Sequence, residues 1–344
     1  MAKNEPMFNL NILMIGTRAT GKTTYLTCVY GLSSEGFLFN DGGCKVTLDL
    51  AEESSSVAYS TIAKIRGYWR NLSEGKSSIT GTQIERFQYP FIMKYQNTSI
   101  FTGDTRPLPL LKLNWTDARG GSYDDLTLDD GNGRRCLIDA LRSDISNKTY
   151  NAIMVFCKWE DVLFDKTQTD NKNEIDRIEF VNIIKSIIEL KSTYPKLPVV
   201  LIVTHSAEEL QDEKKLRKMD KEVIAQAEIL NERKDKVRSV LRRIANDYGK
   251  ASLNFPEFFV DSIISSKASD NVVEAVGLDG VRKPMISILG QCADIITDVI
   301  AKAESRPKSR STIRWEKFKN VFVRPESDRL IEAFRKARAI MGMI

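Results

Sequence analysis

The sequence predicts an α/β fold of three layers, in which a mostly parallel sheet lies between two layers of helices. Two observations lead to this prediction. Short apolar runs that suit strands buried on both faces alternate along the 344 residues with amphipathic helical segments. One pair of strands is joined instead by a short, turn-rich link, which is most simply the connection of an antiparallel pair.

The first strand leads into a glycine-bounded loop and then a helix. The apolar run Leu10–Ile15 is followed by Gly16-Thr17-Arg18-Ala19-Thr20-Gly21-Lys22-Thr23, which matches the pattern G-x-x-x-x-G-K-[ST] in its expected context. The glycines let successive N–H groups point into the loop, and the helix adds the positive end of its dipole. We therefore predict a P-loop NTPase fold in which Gly16 to Thr24 cradle phosphates. A glycine-rich turn that binds nothing is the alternative.

Two side chains of this loop have expected roles of their own. Lys22 would reach the β- and γ-phosphates, and the Thr23 hydroxyl would bind Mg²⁺.

The other elements follow from hydrophobic periodicity. We predict helices at 22–30, 51–73, 175–193, 212–248 and 284–303, strands at 44–50, 86–95, 108–115, 152–157, 199–204 and 258–262, and a loop at 31–43. The strand at 86–95 has a large apolar residue at every second position, and Pro90 within it indicates an edge or a bulge. Its antiparallel partner would be 108–115, which places that partner beside the phosphate-loop strand.

An aspartate and a glycine follow that partner strand. In Asp117-Ala118-Arg119-Gly120, the carboxylate would hold Mg²⁺ through a water, and the N–H of Gly120 would approach a γ-phosphate. The alternative is a solvated aspartate in a turn.

This order of motifs resembles the Ras-like, translation-factor-related GTPase superfamily over about residues 8–303. Within it, Thr82-Gln83 ahead of the aromatic strand is similar to bacterial double-GTPase domains of conflict and antiviral defence systems. The resemblance implies that Gly16, Gly21, Lys22, Thr23 and Thr24 form the phosphate loop, that Thr82, or alternatively Thr80, binds Mg²⁺, and that Asp117 and Gly120 form the second switch.

The base-reading motif departs from that superfamily. Thr204-His205-Ser206-Ala207 stands where such GTPases have N/T-K-x-D, so the guanine-reading aspartate is an alanine, with Glu208 one position later. We still assign Thr204, His205 and Ser262, which ends the last predicted strand, to the nucleotide site. Both GTP/GDP and ATP stay open as ligands.

The hydrolytic residues depart as well. Gly121 occupies the position that often holds a water-orienting glutamine. Arg119 or Arg18 would either supply transition-state charge from within the chain or be solvated, so we expect slow turnover.

The composition limits the class of protein and the kinds of site that this chain can have. A hydrophobic content of 42% and a charged content of 28% are typical of a globular protein. The five cysteines are scattered without metal-ligand spacing, and the single histidine excludes a site that needs a histidine pair. No apolar run approaches the ~18 residues of a membrane span, and the amino terminus lacks a signal-peptide core, so we expect a cytoplasmic protein.

The basic charge is concentrated in a tail at 304–344, which we separate from a GTPase-like domain at 8–303. Residues 306–344 hold eleven Lys and Arg against four Asp and Glu, although the whole chain is only +5. Residues 326–341 can form an amphipathic helix. That helix would pack on the core, dock on a partner protein, or bind an acidic surface such as nucleic acid or anionic lipid.

These features predict a Mg²⁺-dependent switch that binds and slowly hydrolyses GTP to control a protein partner or a second copy of the chain. The alternatives are an ATP-using enzyme of the same core, a small-substrate kinase, and a scaffold that holds nucleotide without turnover.

Overall fold

The computed structural model describes residues 9–17, 19–36, 38–40, 43–51, 56–75, 86–97, 107–118, 132–162, 171–204, 221–247, 249, 256–260, 264–267, 272–293, 332–333, 335–337 and 339. In chain order its strands are β1 (Asn9–Gly16), β2 (Phe39–Asn40), β3 (Cys44–Leu50), β4 (Arg86–Asn97), β5 (Leu108–Ala118), β6 (Ala152–Lys158), β7 (Val199–Thr204), β8 (Glu257–Phe259), β9 (Ile264–Lys267) and β10 (Val272–Val276). Its helices are α1 (Lys22–Ser34), α2 (Ser56–Ser73), α3 (Asn132–Ser146), α4 (Trp159–Val162), α5 (Asn171–Thr193), α6 (Lys221–Asp247) and α7 (Leu278–Gln291).

Eight strands form one sheet in the order β2-β3-β4-β5-β1-β6-β7-β8, and β9 and β10 form a separate hairpin. The five strands from β5 to β8 run parallel to one another. The pairs β2–β3, β3–β4 and β4–β5 are antiparallel. The α/β fold is therefore confirmed, and the antiparallel part is larger than the single pair expected, because β2 and β3 extend it.

Alternate residues of the parallel strands face two separate cores, which makes the fold three-layered. In β7, Val200 faces the core shared with α1, α2 and α7. Its neighbour Leu201 faces the core shared with α3, α5 and α6. Continuously apolar strands such as β6 and β7 are thus buried on both faces, as their sequences predict.

The first helix is longer than its sequence suggests, because Gly31 is a packing residue and not a loop residue. A Cβ on Gly31 would lie 1.9 Å from Cδ2 of Trp69 in α2. The missing side chain lets the indole ring of Trp69 lie directly against α1, which runs on to Ser34. The predicted loop at 31–43 is therefore wrong at its start, and β2 occupies part of it.

Several other boundaries differ. Helix α7 begins at Leu278 and holds Pro284 in its interior, where we expected its start. Burial of Val281 and Met285 on either side of the proline outweighs the hydrogen bond that proline cannot make. Helix α3 and the β9–β10 hairpin were not predicted. Strand β8 ends at Phe259, and the rest of its predicted range, 261–262, lies outside the described residues together with 212–220 and 294–303.

The described residues of the tail are helical and pack on the core. Ala333 and Ala337, one turn apart, are 3% and 0% exposed and belong to the same core as Met285 of α7. Arg335 and Lys336 are exposed. This arrangement matches the core-packed alternative for the tail helix, while the boundary between a domain at 8–303 and a tail at 304–344 stays a prediction. Within the described part of the chain, no helix is long and apolar enough to cross a membrane.

Candidate functional site

The turn between β1 and α1 is shaped by two glycines. A Cβ on Gly16 would lie 2.2 Å from the carbonyl oxygen of Phe156 in β6, so only glycine fits at the end of β1. Gly21 precedes α1 with φ 80°, a left-handed conformation that glycine adopts at little cost. Between them the exposed Ala19 also has a positive φ, 54°, which is uncommon for a residue with a side chain. The backbone of this loop is therefore held in an unusual curl.

The side chain of Lys22 is folded into that curl. Its ammonium donates to the carbonyl oxygens of Gly16 at 3.1 Å and Thr17 at 3.2 Å, and to the hydroxyl of Thr20 at 3.4 Å. The Thr20 hydroxyl in turn donates to the Thr17 carbonyl at 3.0 Å. Lys22 is only 6% exposed, so the loop holds a nearly buried positive charge beside the amino end of α1.

The next residue, Thr23, contacts the aspartate predicted to share its metal. Its hydroxyl donates to the Asp117 carboxylate at 2.7 Å, and the two residues are 9% and 1% exposed. Asp117 lies within β5, opposite Met14 of β1, and the strand continues to Ala118 beyond its expected end. Because β1 and β5 are parallel, their carboxyl ends meet at one edge of the sheet.

A tyrosine on the neighbouring strand shares the environment of Asp117. Burial, with the charges of Asp117 and then Tyr68 as smaller causes, raises the pKa of Tyr89 well above its usual value. The Tyr89 phenol, which is neutral at neutral pH in any case, therefore stays protonated into the alkaline range.

A second carboxylate at the loop was missed from the sequence. Asp161, in the short helix α4 after β6, is 5% exposed. Its carboxylate accepts from the Thr17 hydroxyl at 3.3 Å and from the backbone N–H of Lys158 at 3.1 Å. The Trp159-Glu160-Asp161 run directly after a buried strand was the available signal, because acidic residues are favoured in the first turn of a helix.

Thr204, the last residue of β7, reaches the same edge of the sheet. Its hydroxyl donates to the Cys157 carbonyl at 3.1 Å, and its methyl group lies 3.7 Å from where a Cβ on Gly21 would stand. Thr204 thus lies close to the loop, and its assignment to the nucleotide site stays a prediction. Thr24 is half-buried in the first turn of α1.

The remaining assignments fall on residues that the structure does not describe. These are Arg18, Thr82, Arg119, Gly120, His205 and Ser262, together with Thr80, Gly121, Ala207 and Glu208. Their roles stay predictions. Among the residues with described side chains, no group of three or more His, Cys, Asp or Glu could hold a metal ion.

Comparison with known proteins finds similarity among solved structures. No protein-family model matches the sequence, and no curated protein matches it. The chain is similar to the S. cerevisiae Ski7 GTPase-like domain bound to GTP, with a TM-score of 0.37, 12% identity, and coverage of 89% of this chain and 52% of that one. For the same domain bound to GDP and inorganic phosphate, the TM-score is 0.35 and the identity 12%, and the match covers 75% of this chain and 44% of that one.

The chain thus spans about half the length of these two structures. At such TM-scores the fold assignment rests on the strand order and loop geometry of this chain itself.

Proposed function

We propose that this protein is a Mg²⁺-dependent nucleotide switch that binds GTP at Gly16–Thr24 and hydrolyses it slowly to control a protein partner. The observation that carries the proposal is the nearly buried Lys22 ammonium, fixed by loop oxygen atoms one residue before the Thr23–Asp117 hydrogen bond. The resemblance to conflict-system GTPases further suggests a partner with a role in defence.

The loop supports phosphate binding through charge that is already in place. Lys22 is held by three loop oxygens, so little side-chain freedom would be lost when a phosphate arrives. The amino end of α1 adds N–H groups and the positive end of a helix dipole. Lys22 would then stabilise the charge that develops on the phosphoryl oxygens during transfer to water.

The donor set fits Mg²⁺, which prefers hydroxyl and carboxylate oxygens. Thr23 and Asp117 supply one of each, at a hydrogen-bonding distance. Mg²⁺ is usually held by one or two protein carboxylates, substrate phosphates and water, so it does not require a larger cluster. Thr23 and Asp117, with Thr82 as a further proposed ligand, would hold the ion, which supplies neutralisation of charge on the β- and γ-phosphates when bound.

The switch would lie in the segments that follow the site residues. Asp117 is fixed to Thr23 of the loop, and the chain continues directly into Arg119–Gly121. A change in the phosphates would therefore act on residues adjoining Asp117, with Gly120 sensing the γ-phosphate and Arg119 or Arg18 contributing charge.

An ATP-using site is the second candidate, and the base-reading motif favours it. Ala207 replaces the aspartate that would accept from the guanine ring, and Thr204 ends β7 beside the loop. Unless Glu208, one position later, supplies that acceptor, guanine would have no advantage over adenine.

The deciding experiment measures the affinity of GTP, GDP and ATP for the purified chain with Mg²⁺, for wild type, Lys22→Ala and the exposed control Lys236→Ala. GTP should bind at least ~tenfold more tightly than ATP, a difference of about 1.4 kcal/mol, and only Lys22→Ala should abolish binding. Equal or tighter ATP binding would replace the GTPase assignment with the ATPase one. If neither nucleotide binds, or Lys22→Ala changes nothing, the proposal is wrong.

Turnover is tested separately by phosphate release. We expect the wild type to release phosphate slowly from GTP, and Lys22→Ala to release none. Bound nucleotide without any release would identify a scaffold that holds nucleotide.

A further inference from the structure

A cleft of about 500 Å³ lies where the sheet ends at β8, the last strand of the described order. Residues 256–259 form its floor. Lys234, Arg238, Leu241 and Arg242 of α6 form one wall, and Lys283 of α7 contributes to the other.

The two walls belong to helices on opposite faces of the sheet. Leu241 of α6 packs in the core that contains Leu201. Met285 of α7 packs in the other core, which contains Val200. A cleft lined by both helices must therefore cross the edge of the sheet, so its floor is the edge of β8.

The walls are strongly basic. Lys234, Arg238 and Arg242 are spaced four residues apart and form one stripe along α6. Among the described lining residues one is acidic, Glu257, and it accepts a hydrogen bond from Ser287. The part of the lining that the structure describes therefore carries four cationic side chains against one carboxylate.

Two of the cations have surface ion pairs that a ligand could replace. Arg238 pairs with Asp235 and is 46% exposed, and Lys283 pairs with Asp279 at 3.1 Å and is 41% exposed. Exposed pairs of this kind contribute little free energy, so exchanging them for another carboxylate costs little.

We propose that this cleft binds an acidic segment of a partner protein in extended conformation, which adds to the edge of β8 as a further strand. Addition to a sheet edge uses the backbone for affinity and alternate side chains for specificity. Because α6 connects β7 to β8, it runs along the strands. Cations four residues apart on a helix repeat every ~6 Å. Acidic residues at every second position of a strand repeat every ~6.6 Å, so the two charge patterns match.

Single-stranded nucleic acid fits this cleft less well. Such sites use open aromatic faces and accommodate ~4–16 nucleotides. Phe258 is half-buried, and the Arg238 guanidinium lies over its ring, 5.9 Å from the centroid. That ring face is thus covered by a cation and not open to a base.

The proposal does not depend on the proposed nucleotide function. In the strand order, β8 lies three strands from β1, which is roughly 14 Å across the sheet. Charge changes in the cleft should therefore leave the loop intact, and an unchanged melting temperature checks that each variant is folded.

The experiment measures fluorescence anisotropy of a labelled short peptide in which glutamate alternates with threonine, added to the full chain. We expect saturable binding that weakens with added salt. The double variant Arg238→Glu/Arg242→Glu should weaken it by ~tenfold or more. The matched control Lys236→Glu/Arg243→Glu reverses two exposed charges of the same helix outside the cleft and should bind as wild type does.

Four outcomes would overturn the proposal. Absence of peptide binding would do so, as would equal weakening by both double variants, which would indicate only a general charge effect. A peptide methylated on alternate backbone nitrogens that binds as well as its parent would exclude strand addition. Tighter binding of a single-stranded oligonucleotide that displaces the peptide would assign the cleft to nucleic acid instead.

Discussion

The hydroxyl of Thr23 donates a 2.7 Å hydrogen bond to the carboxylate of Asp117, although 94 positions separate the two residues in the chain. The parallel pairing of β1 with β5 brings them together, because it sets Asp117 beside Met14, just ahead of the loop. This nearly buried pair supplies the hydroxyl and carboxylate oxygens that the proposed Mg²⁺ site would use.

Removing the Thr23 hydroxyl should destabilise the protein as well as weaken ligand binding. In Thr23→Ala the buried Asp117 carboxylate loses this donor, so we expect the free energy of unfolding in urea to fall by about 1–3 kcal/mol. Thr23→Ser keeps the hydroxyl and should stay close to wild type. The Ala variant should also lose the effect of Mg²⁺ on nucleotide affinity. Equal stability and Mg²⁺ response in the two variants would contradict this account.

Asp161 should act through Thr17 to position the loop. Asp161→Ala removes the acceptor of the Thr17 hydroxyl, and Thr17→Val removes the donor. Each should cost about 1 kcal/mol, or roughly fivefold in the nucleotide Kd.

Non-additivity is the decisive readout for this pair. The double variant should bind nucleotide no worse than Asp161→Ala alone, because Asp161→Ala already removes the Thr17–Asp161 hydrogen bond along with its bond to the Lys158 N–H. Glu160→Ala, which truncates the exposed neighbour, is the matched control and should leave the Kd unchanged. Fully additive losses would show that Asp161 does not act through Thr17.

Two glycines in facing helices should respond to alanine in opposite directions. Gly31→Ala would place a Cβ 1.9 Å from the Trp69 ring, so we expect a loss of about 1–3 kcal/mol in thermal or urea unfolding. Gly67 in α2 has nothing within 4 Å of its added Cβ. Gly67→Ala should therefore stabilise the protein by about 0.5–1 kcal/mol through helix propensity. If Gly31→Ala were also stabilising, the close approach of α1 to Trp69 would be refuted.

The tail helix should contribute to the stability of the whole fold. Ala337 is 0% exposed in the core, whereas Ala339 is exposed. Ala337→Glu would bury a charge or detach the helix, so we expect the free energy of unfolding to fall by at least about 1 kcal/mol. Ala339→Glu, the same change two residues away, should have little effect. Equal melting temperatures for the two variants would indicate a tail that does not pack.

Much of the fold followed from local patterns. Glycine spacing predicted the loop from Gly16 to Gly21, and continuous apolar runs predicted β6 and β7 as strands buried on both faces. The predicted boundaries of α1 and α7 were wrong at Gly31 and Pro284, because glycine and proline usually interrupt helices. Both helices continue through these residues because Trp69 packs against Gly31 and Met285 is buried beside Pro284. No local pattern reveals these contacts.

The sequence by itself determined the glycine-bounded loop from Gly16 to Gly21 and the alternation of strands and helices, because both depend on residues within a few positions of each other. Only the tertiary structure decided that Asp117 meets Thr23, that Asp161 meets Thr17, and that Lys283 shares a cleft with Arg238. Each of these joins residues far apart in the chain. Their proximity is set by strand order and helix packing, whose free energy belongs to the assembled fold and not to any single segment.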